Sequence, residues 1–447
     1  MEVPRMKKWT SILSGSALIL ALTTTTAEAQ TPDVEAEASI LVDVETGKIL
    51  YDEDIDTLLP MASMAKMMTE YLVNEAIEEG NLSWDEEVSV SEEVADLSHN
   101  ESLSNVYLRT DETYTIEELY EAMAIESANG ATVALAEAVA GSEEAFVDMM
   151  NDKAAELGIE DYEFVNSSGL NNSSMDGNHP EGTDADAENM MSARGTAQLA
   201  YHLIQDYPEV LDVASTEETI FMEGSEMDEL PMTNWNHMLG GSDFSHAYEG
   251  VDGIKTGNTD AAGFAFTGTV EQDDTRLLSV VMRTDSIDAR FEETATLYDY
   301  GFDTFTTEEV ISEGEQHDEV PVLPVPDGQE QDVPVVTGSA LSFPILEGEE
   351  DMYSTSVTVA EDQLDEDGAL SAPVEAGEEV GYVTVTYEGE DDEMYLTDEM
   401  ETNAAVPLVA GDDVEQANWF VRSMRGIGGF FSGLWDQTTE TVSGWFS

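Results

Sequence analysis

The chain has 447 residues, of which 98 are Asp or Glu and 14 are Lys or Arg, so its formal net charge is −84. This composition excludes the basic surface with which nucleic-acid-binding proteins neutralise phosphates. Hydrophobic residues make up 41% of the chain and aromatic residues 8%, which is enough apolar material for a folded core. Because acidic residues occur along the whole length, we expect a surface adapted to high salt, where charge repulsion is screened.

The first 29 residues have the pattern of an export signal. Basic residues come first, an apolar stretch follows over 12–22, and Ala27-Glu28-Ala29 has the form of a cleavage site. The apolar stretch is short for a bilayer span, which favours a cleaved signal peptide over a retained N-terminal membrane helix. The chain has no cysteine, so the exported protein would use neither a disulfide nor a thiol nucleophile.

Residues 30–305 mix the helical and strand periodicities of an α/β (α+β) domain with a mostly antiparallel sheet. The predicted elements are a hairpin over 38–51, helices over 60–80, 116–140, 142–157 and 189–205, strands over 263–270 and 276–283, and a closing helix over 287–300. Composition changes near residue 306, after which prolines and short alternating runs such as 380–387 replace the helical patterns. Residues 306–410 are therefore predicted to form a small all-β domain.

The C-terminal segment 414–447 is predicted to be an amphipathic helix. No acidic residue occurs between Ala417 and Trp435, and at 100° per residue the apolar side chains fall on one side, opposite two arginines. Its many aromatic residues favour a helix that lies in a membrane interface, and the alternative is a helix packed on the protein's own core. The apolar face consists of Phe420, Met424, Ile427, Phe431, Leu434, Val442 and Trp445.

Two lysines of the mature chain lie in motifs with a chemical interpretation. Ser63 and Lys66 are three residues apart at the start of a predicted helix, so their side chains share a face. A helix N-terminus favours developing negative charge, and an unprotonated lysine one turn from a serine can take its proton. On its own, this S-x-x-K pattern is also compatible with an ordinary helix N-terminus.

The second lysine belongs to a K-T-G motif before a predicted strand. Lys255 and Thr256 offer a charge and a hydroxyl group to a carboxylate, and Gly257 lets the backbone approach a ligand closely. This stretch is equally compatible with a plain turn between two strands. Both interpretations place it next to the strand at 263–270.

A third motif, Ser127-Ala-Asn129, follows the helical pattern at 116–125. Ser127 is suited to relay a proton, and Asn129 is suited to hold a substrate amide. The same S-x-N pattern occurs at Ser98-His-Asn100. We favour the copy at Ser127 because it follows a strong helical pattern and small residues flank it.

The three motifs occur in the order S-x-x-K, S-x-N, K-T-G, which is the signature order of penicillin-recognising serine acyl-transferases. With them the chain resembles the D-alanyl-D-alanine carboxypeptidases, the low-molecular-mass penicillin-binding proteins, particularly those of Gram-positive bacilli. The chain departs from the family pattern at Gly195, where an acidic residue would be expected, and at Asn258, which is a variable position in such enzymes. Other stretches that resemble the family are 38–47, 164–170, 179–183, 206–210, 297–302 and, as its membrane anchor, 419–431.

The resemblance implies a penicillin-binding/β-lactamase-like transpeptidase fold and a role for each motif residue. Ser63 would be the acylated nucleophile, Lys66 its base and Ser127 the proton shuttle to the leaving D-alanine. The substrate-binding residues would be Asn129, Lys255, Thr256, Gly257 and Asn258, with Lys255 and Thr256 on the terminal carboxylate. The backbone N–H groups of Ser63 and Asn258 would form the oxyanion hole, and Arg290 is a weaker candidate for positive charge near Lys255.

The implied reaction removes the terminal D-alanine of the peptidoglycan stem pentapeptide through an acyl-enzyme, with no cofactor or metal and with β-lactams as covalent inhibitors. The implied location is the outer face of the cytoplasmic membrane, in the cell wall. Three alternatives stay open: a class A-like β-lactamase, a DD-endopeptidase and a non-catalytic wall-binding protein. Against the first, no E-x-x-L-N pattern occurs between Ser127 and Lys255.

Overall fold

The computed structural model describes residues 31–175, 177–225, 229–240, 244–273, 275–389, 395–397, 400 and 404–421. The predicted signal peptide over 1–29 and the predicted anchor helix beyond residue 421 lie outside this part of the chain. The elements of the first domain are β1 (Ala38–Asp43), β2 (Ile49–Glu53), β3 (Leu59–Pro60), α1 (Lys66–Glu78), β4 (Glu87–Ser89), α2 (Glu92–Ser98), β5 (Thr113–Thr115), α3 (Ile116–Ile125), α4 (Asn129–Ala140), α5 (Glu143–Glu156), β6 (Tyr162–Glu163), β7 (Met190–Met191), α6 (Ala193–Asp206), α7 (Val210–Ala214), β8 (Glu218–Phe221), β9 (Leu230–Thr233), β10 (Val251–Thr259), β11 (Gly263–Gln272), β12 (Thr275–Thr284) and α8 (Ile287–Thr304).

The centre of the first domain is an antiparallel sheet with the strand order β10-β11-β12-β1-β2. Every residue of β1 is buried, because helices cover both faces. Ile40 and Val42 face the core that contains α6, whereas Leu41 faces the core that contains Phe291 and Leu297 of α8. The alternation of β1 side chains between two buried faces explains why its sequence is apolar throughout.

A helical layer made largely by α2, α3 and α4 has its own apolar core and lies beside the sheet. Thr115 and Glu118 form a capping box that starts α3. The single helix predicted over 116–140 is interrupted, because Ser127 adopts a left-handed backbone conformation with φ of 59° between α3 and α4. The interruption places Ser127 and Asn129 at the junction of two helices.

The second domain is all-β, as predicted. Its main sheet has the order β14-β15-β19-β18-β17, beside a two-stranded β13-β16 sheet, and their apolar side chains form one further core. The strands are β13 (Phe305–Ile311), β14 (Val322–Pro324), β15 (Asp332–Thr337), β16 (Leu341–Leu346), β17 (Tyr353–Val359), β18 (Glu379–Tyr387) and β19 (Ala405–Ala410).

Lys48, in the turn between β1 and β2, joins the two domains. Its Nζ donates to the carbonyl oxygen of Pro344 at 2.8 Å and to the hydroxyl group of Tyr353 at 2.7 Å. The same ammonium lies 5.0 Å from the ring centre of Phe343 and 4.5 Å from that of Tyr353. A residue of the first domain is thus held in an aromatic site of the second.

The C-terminal segment differs from the prediction at its start. Val414 forms an antiparallel bridge with Val374 and is buried in the core of the second domain. Helical residues begin only at Trp419, and Trp419 and Phe420 are 73% and 59% exposed. Within the described residues, no helix is both long enough and apolar enough to cross a membrane.

Candidate active site

Ser63 and Lys66 meet at the start of α1. Ser63 lies in a short 3-10 turn over Ala62–Ala65, and Lys66 is the first residue of the helix that follows. Lys66 is fully buried, and its Nζ lies 3.0 Å from Ser63 Oγ. Two further oxygens surround this nitrogen: Asn129 Oδ1 at 2.9 Å and the carbonyl oxygen of Ser168 at 2.6 Å.

This environment favours the neutral form of Lys66. Burial lowers the pKa of the Lys66 amine well below its usual value, the positive charge of Lys255 lowers it further, and Glu70 opposes the shift. A neutral amine has two donors and one lone pair. The donors fit Asn129 Oδ1 and the Ser168 carbonyl, so the lone pair is available to accept from the hydroxyl group of Ser63. The arrangement is that of a serine with its base already in place.

Ser127 and Lys255 form the second polar pair of the site. Lys255 lies on β10 and is 2% exposed, and its Nζ donates to Ser127 Oγ at 3.0 Å. Burial lowers the pKa of Lys255 to about 8; Glu70 and Glu126 raise it and Arg290 lowers it further. At neutral pH this lysine is therefore mostly protonated.

Asn129 connects the two helices to the Ser63 turn. Its Oδ1 accepts from Lys66 Nζ, and its Nδ2 donates to the carbonyl oxygen of Ser104 at 3.0 Å. Both ends of the amide thus have a partner inside the protein, and the residue is 3% exposed. Asn129 orders the lysine and its surroundings, in addition to the contact with a substrate amide that the sequence suggested.

The K-T-G motif lies inside strand β10, so its interpretation as a plain turn is wrong. Thr256 is paired with Phe266 and Gly257 with Ala265, and β10 is the edge strand of the sheet. A Cβ atom on Gly257 would lie 2.7 Å from the carbonyl oxygen of Met61, so only glycine lets the strand approach the Ser63 turn this closely. Asn258 is exposed, and its Nδ2 donates to the carbonyl oxygen of Gly263.

Together, the three motifs form one site. Residues 24–286 match the peptidase family S11, described as D-alanyl-D-alanine carboxypeptidase. The chain belongs to the D-alanyl-D-alanine carboxypeptidase family. Residues 305–416 match a second family, described as the C-terminal domain of penicillin-binding protein 5. The family and its two-domain fold, an α/β domain followed by an all-β domain, are therefore confirmed.

Relatives of the D-alanyl-D-alanine carboxypeptidase family match most of the chain. The carboxypeptidase DacC of Escherichia coli is 30% identical over 99% of this chain and 99% of its own length. The crystal structure of a peptidoglycan synthesis regulatory factor (PBP3) from Streptococcus pneumoniae has a TM-score of 0.73 and 35% identity, covering 86% of this chain and all of that one. Penicillin-binding protein D2 of Listeria monocytogenes, solved with ampicillin bound, has a TM-score of 0.50 and 30% identity over 61% of this chain and 99% of that one.

Arg290 lies behind the K-T-G strand in this member of the family. It is 3% exposed, and its Nη1 donates to the carbonyl oxygen of Gly257 at 3.4 Å. Its Nε has no hydrogen-bond partner, and burial lowers the pKa of its guanidinium to about 10. Its cation lies close enough to Lys255 to lower the pKa of that lysine.

Sequence reasoning missed several groups around the site. The carbonyl oxygen of Ser168 belongs to a loop that was noticed only as a family-like stretch, and no side-chain pattern could have indicated a backbone acceptor. Gly169 in this loop has φ of 78°, and a Cβ there would lie 1.8 Å from the Ala62 carbonyl oxygen. Glu70 is buried on α1, but no pattern in the sequence singled it out among the 98 acidic residues of the chain.

Proposed function

We propose that the protein is a serine-type D-Ala-D-Ala carboxypeptidase that removes the terminal D-alanine from peptidoglycan stem pentapeptides. The observation that carries this proposal is the 3.0 Å approach of a buried Lys66 amine to Ser63 Oγ. The charged Lys255 lies across the site, bonded to Ser127. A nucleophile with its base and a cation for a carboxylate are the two elements that this reaction needs.

In the proposed acylation, Ser63 Oγ attacks the carbonyl carbon between the two D-alanines while Lys66 Nζ takes the hydroxyl proton. Lys255 and Thr256 bind the carboxylate of the terminal D-alanine, and the backbone N–H groups of Ser63 and Asn258 stabilise the oxyanion. The C–N bond then breaks, and the proton taken by Lys66 passes through Ser127 to the D-alanine amine as it leaves, so that Lys66 is neutral again. The ester of Ser63 remains.

In the proposed deacylation, water attacks the Ser63 ester carbonyl and gives its proton to the neutral Lys66. The C–O bond of the ester breaks, the proton returns to Ser63 Oγ, and the shortened peptide leaves as a carboxylic acid. The two half-reactions together consume one water and release one D-alanine. Gly257 has no side chain, which lets β10 lie close to the Ser63 turn and so brings the carboxylate-binding residues near the nucleophile.

The experiment that tests this proposal is D-alanine release from a diacetyl-Lys-D-Ala-D-Ala peptide. The wild type is expected to release D-alanine, and Ser63→Ala is expected to reduce the rate at least about 10³-fold. The control is Ser371→Ala, at an exposed serine of the second domain, which is expected to keep the wild-type rate. Release by Ser63→Ala at the wild-type rate would overturn the mechanism.

We also propose that the protein acts outside the cell, at the outer face of the cytoplasmic membrane in the cell wall, and that its surface is adapted to high salt. The exposed Trp419 and Phe420, followed by the acid-free stretch to Trp435, support attachment to a membrane interface. We expect the mature chain to sediment with lipid vesicles in about 1 M NaCl, where repulsion between the acidic body and the lipid surface is screened, and a chain ending at residue 416 to stay in the supernatant. Equal sedimentation of both would exclude this anchor.

A further inference from the structure

The loop over 166–170 supplies one of the oxygens that accept from Lys66. Ser168, whose carbonyl oxygen lies 2.6 Å from Lys66 Nζ, is fully buried and belongs to no helix or strand. A peptide carbonyl cannot turn independently of the chain that carries it, so its direction depends on the contacts that hold its neighbours. The groups that hold this loop therefore control one side of the proposed base.

Asn166 and Asn189 set the shape and the start of the loop. Asn166 Oδ1 accepts from the N–H group of Gly169 at 2.7 Å, which folds the loop back on itself. Asn189 Nδ2 donates to the Asn166 carbonyl oxygen at 2.8 Å, and Asn189 Oδ1 accepts from the Asn166 N–H group at 3.1 Å. These three bonds do not connect the loop to α1. That connection lies at Ser167, the residue directly before Ser168.

Ser167 is held from two sides by side chains of two helices. Oε1 of Glu143, the first residue of α5, accepts from the Ser167 N–H group at 2.9 Å and from Ser167 Oγ at 2.7 Å. Thr69 Oγ1, on α1, donates to the Ser167 carbonyl oxygen at 2.8 Å. Ser167 and Thr69 are fully buried, and Glu143 is 9% exposed. The N–H, hydroxyl and carbonyl groups of Ser167 thus all have a fixed partner on a helix.

The position of the Ser168 carbonyl oxygen determines how the Lys66 amine is turned. A neutral amine has two N–H donors and one lone pair. When the Ser168 carbonyl and Asn129 Oδ1 accept from the two donors, the lone pair faces the hydroxyl group of Ser63. If that carbonyl moved away, one N–H group would lose its acceptor and could turn toward Ser63 Oγ instead. The lone pair would then no longer face the serine proton.

We propose that Glu143 is a positioning residue for the general base: by holding Ser167, it keeps the Ser168 carbonyl oxygen on Lys66 and the lone pair of Lys66 on Ser63. The inference rests on the proposed function, because it takes Lys66 as the base of Ser63. Glu143 acts through the loop and not on a reacting atom. Both bonds from Ser167 end on a single oxygen, so an amide oxygen can replace it and the negative charge is not required.

The experiment measures acylation by penicillin, separating the first-order acylation constant k2 from the Kd of the initial non-covalent complex. Glu143→Ala should lower k2 by about 10 to 10²-fold, as misplacement of a catalytic group by about 1 Å does. Its Kd should stay within about twofold, because the residues proposed to bind the carboxylate lie on β10 and not on this loop. Glu143→Gln, which keeps an oxygen acceptor, should restore k2 to within about threefold of the wild type.

The matched control is Glu144→Ala, at the exposed neighbouring position of α5, which should leave k2 unchanged. Thermal unfolding is followed for every variant. If Glu143→Ala does not fold, Ser167→Ala tests the same contact from its other end, and the loss of one hydrogen bond should lower k2 about threefold or more.

A folded Glu143→Ala that is acylated with the wild-type k2 would overturn the inference, as would a Glu143→Gln that is as slow as Glu143→Ala. A loss that appears only in Kd would also overturn it, and so would an unchanged k2 in Ser167→Ala where that variant replaces Glu143→Ala. A wild type that forms no acyl-enzyme and releases no D-alanine would instead overturn the proposed function itself.

Discussion

At the scale of single residues, the environment of each lysine decides what it can do. Burial alone would lower the pKa of Lys153, but its hydrogen bonds with Glu156 and Glu75 raise it, so this lysine stays charged. Lys66 is also buried but has neutral oxygen partners, and its pKa is lowered. The same side chain is thus a structural cation on α5 and a potential base at the start of α1.

The first prediction concerns Lys66 as the base. Lys66→Met removes the amine but keeps an unbranched side chain, and acylation by penicillin should slow between about 10² and 10⁴-fold, the usual contribution of a general base. In the wild type, acylation should slow as the pH falls through the lowered pKa of Lys66, because the protonated amine cannot accept the serine proton. The control is Lys153→Arg, which keeps its charge; a Lys66→Met variant acylated as fast as this control would contradict the assignment.

Sequence patterns located the side chains of the site but not the environment that tunes them. The order of the three motifs along the chain is typical of one class of enzyme, so the sequence alone could point to Ser63, Lys66, Ser127 and Lys255 as site residues. The Ser168 carbonyl oxygen could not be predicted in this way, because every residue has a carbonyl group and only the folded loop brings this one to Lys66.

At the scale of elements, the structure of the first domain differs from the prediction at two places, and in both the backbone conformation of one or a few residues is the cause. The apolar periodicity over 116–140 correctly indicated helix, but it gave no sign of the left-handed Ser127 that separates α3 from α4. The glycine in the K-T-G motif allowed a turn, whereas sheet pairing made it part of strand β10. In both cases tertiary contacts overrode the local preference.

The second prediction concerns Lys48 as the link between the domains. Lys48→Met should lower the free energy of unfolding by about 1–3 kcal/mol, because two hydrogen bonds and the aromatic contacts of a buried cation are lost. The kcat for D-alanine release should stay within about twofold, since the residue lies away from Ser63. Urea unfolding followed by tryptophan fluorescence measures the change.

The comparison for Lys48→Met is Arg283→Met, which removes an ion pair between Arg283 and Glu37. Both of its side chains are partly exposed, so the loss should stay below about 1 kcal/mol. If Lys48→Met unfolds at the same urea concentration as the wild type, the aromatic site of the second domain contributes nothing to stability.

At the scale of the whole molecule, the net charge of −84 acts against the proposed chemistry. A negative field raises the pKa of a lysine and repels the carboxylate of a substrate. Lys255 and Arg290 provide positive charge where that carboxylate would bind. Screening by salt weakens the field of the distant surface charges more than it weakens contacts inside the buried site.

The third prediction follows from this field. D-alanine release should accelerate as NaCl is raised from low concentration to about 1 M, where charges are screened beyond about 3 Å. Sucrose at equal osmolality is the control and should have no such effect, and circular dichroism checks that the fold is intact at each concentration. Turnover that is flat or falls with salt, with the fold intact, would contradict the idea of a salt-adapted enzyme.

The central claim, that Ser63 is the acylated nucleophile of a penicillin-binding carboxypeptidase, is tested most directly by intact-mass measurement of the protein with penicillin over time. We predict one covalent adduct that maps to Ser63, persists long after free penicillin is removed, and is absent from Ser63→Ala. Rapid loss of the adduct with turnover of the antibiotic would indicate a β-lactamase. No adduct at all, on a folded protein, would indicate a non-catalytic wall-binding protein and contradict the account.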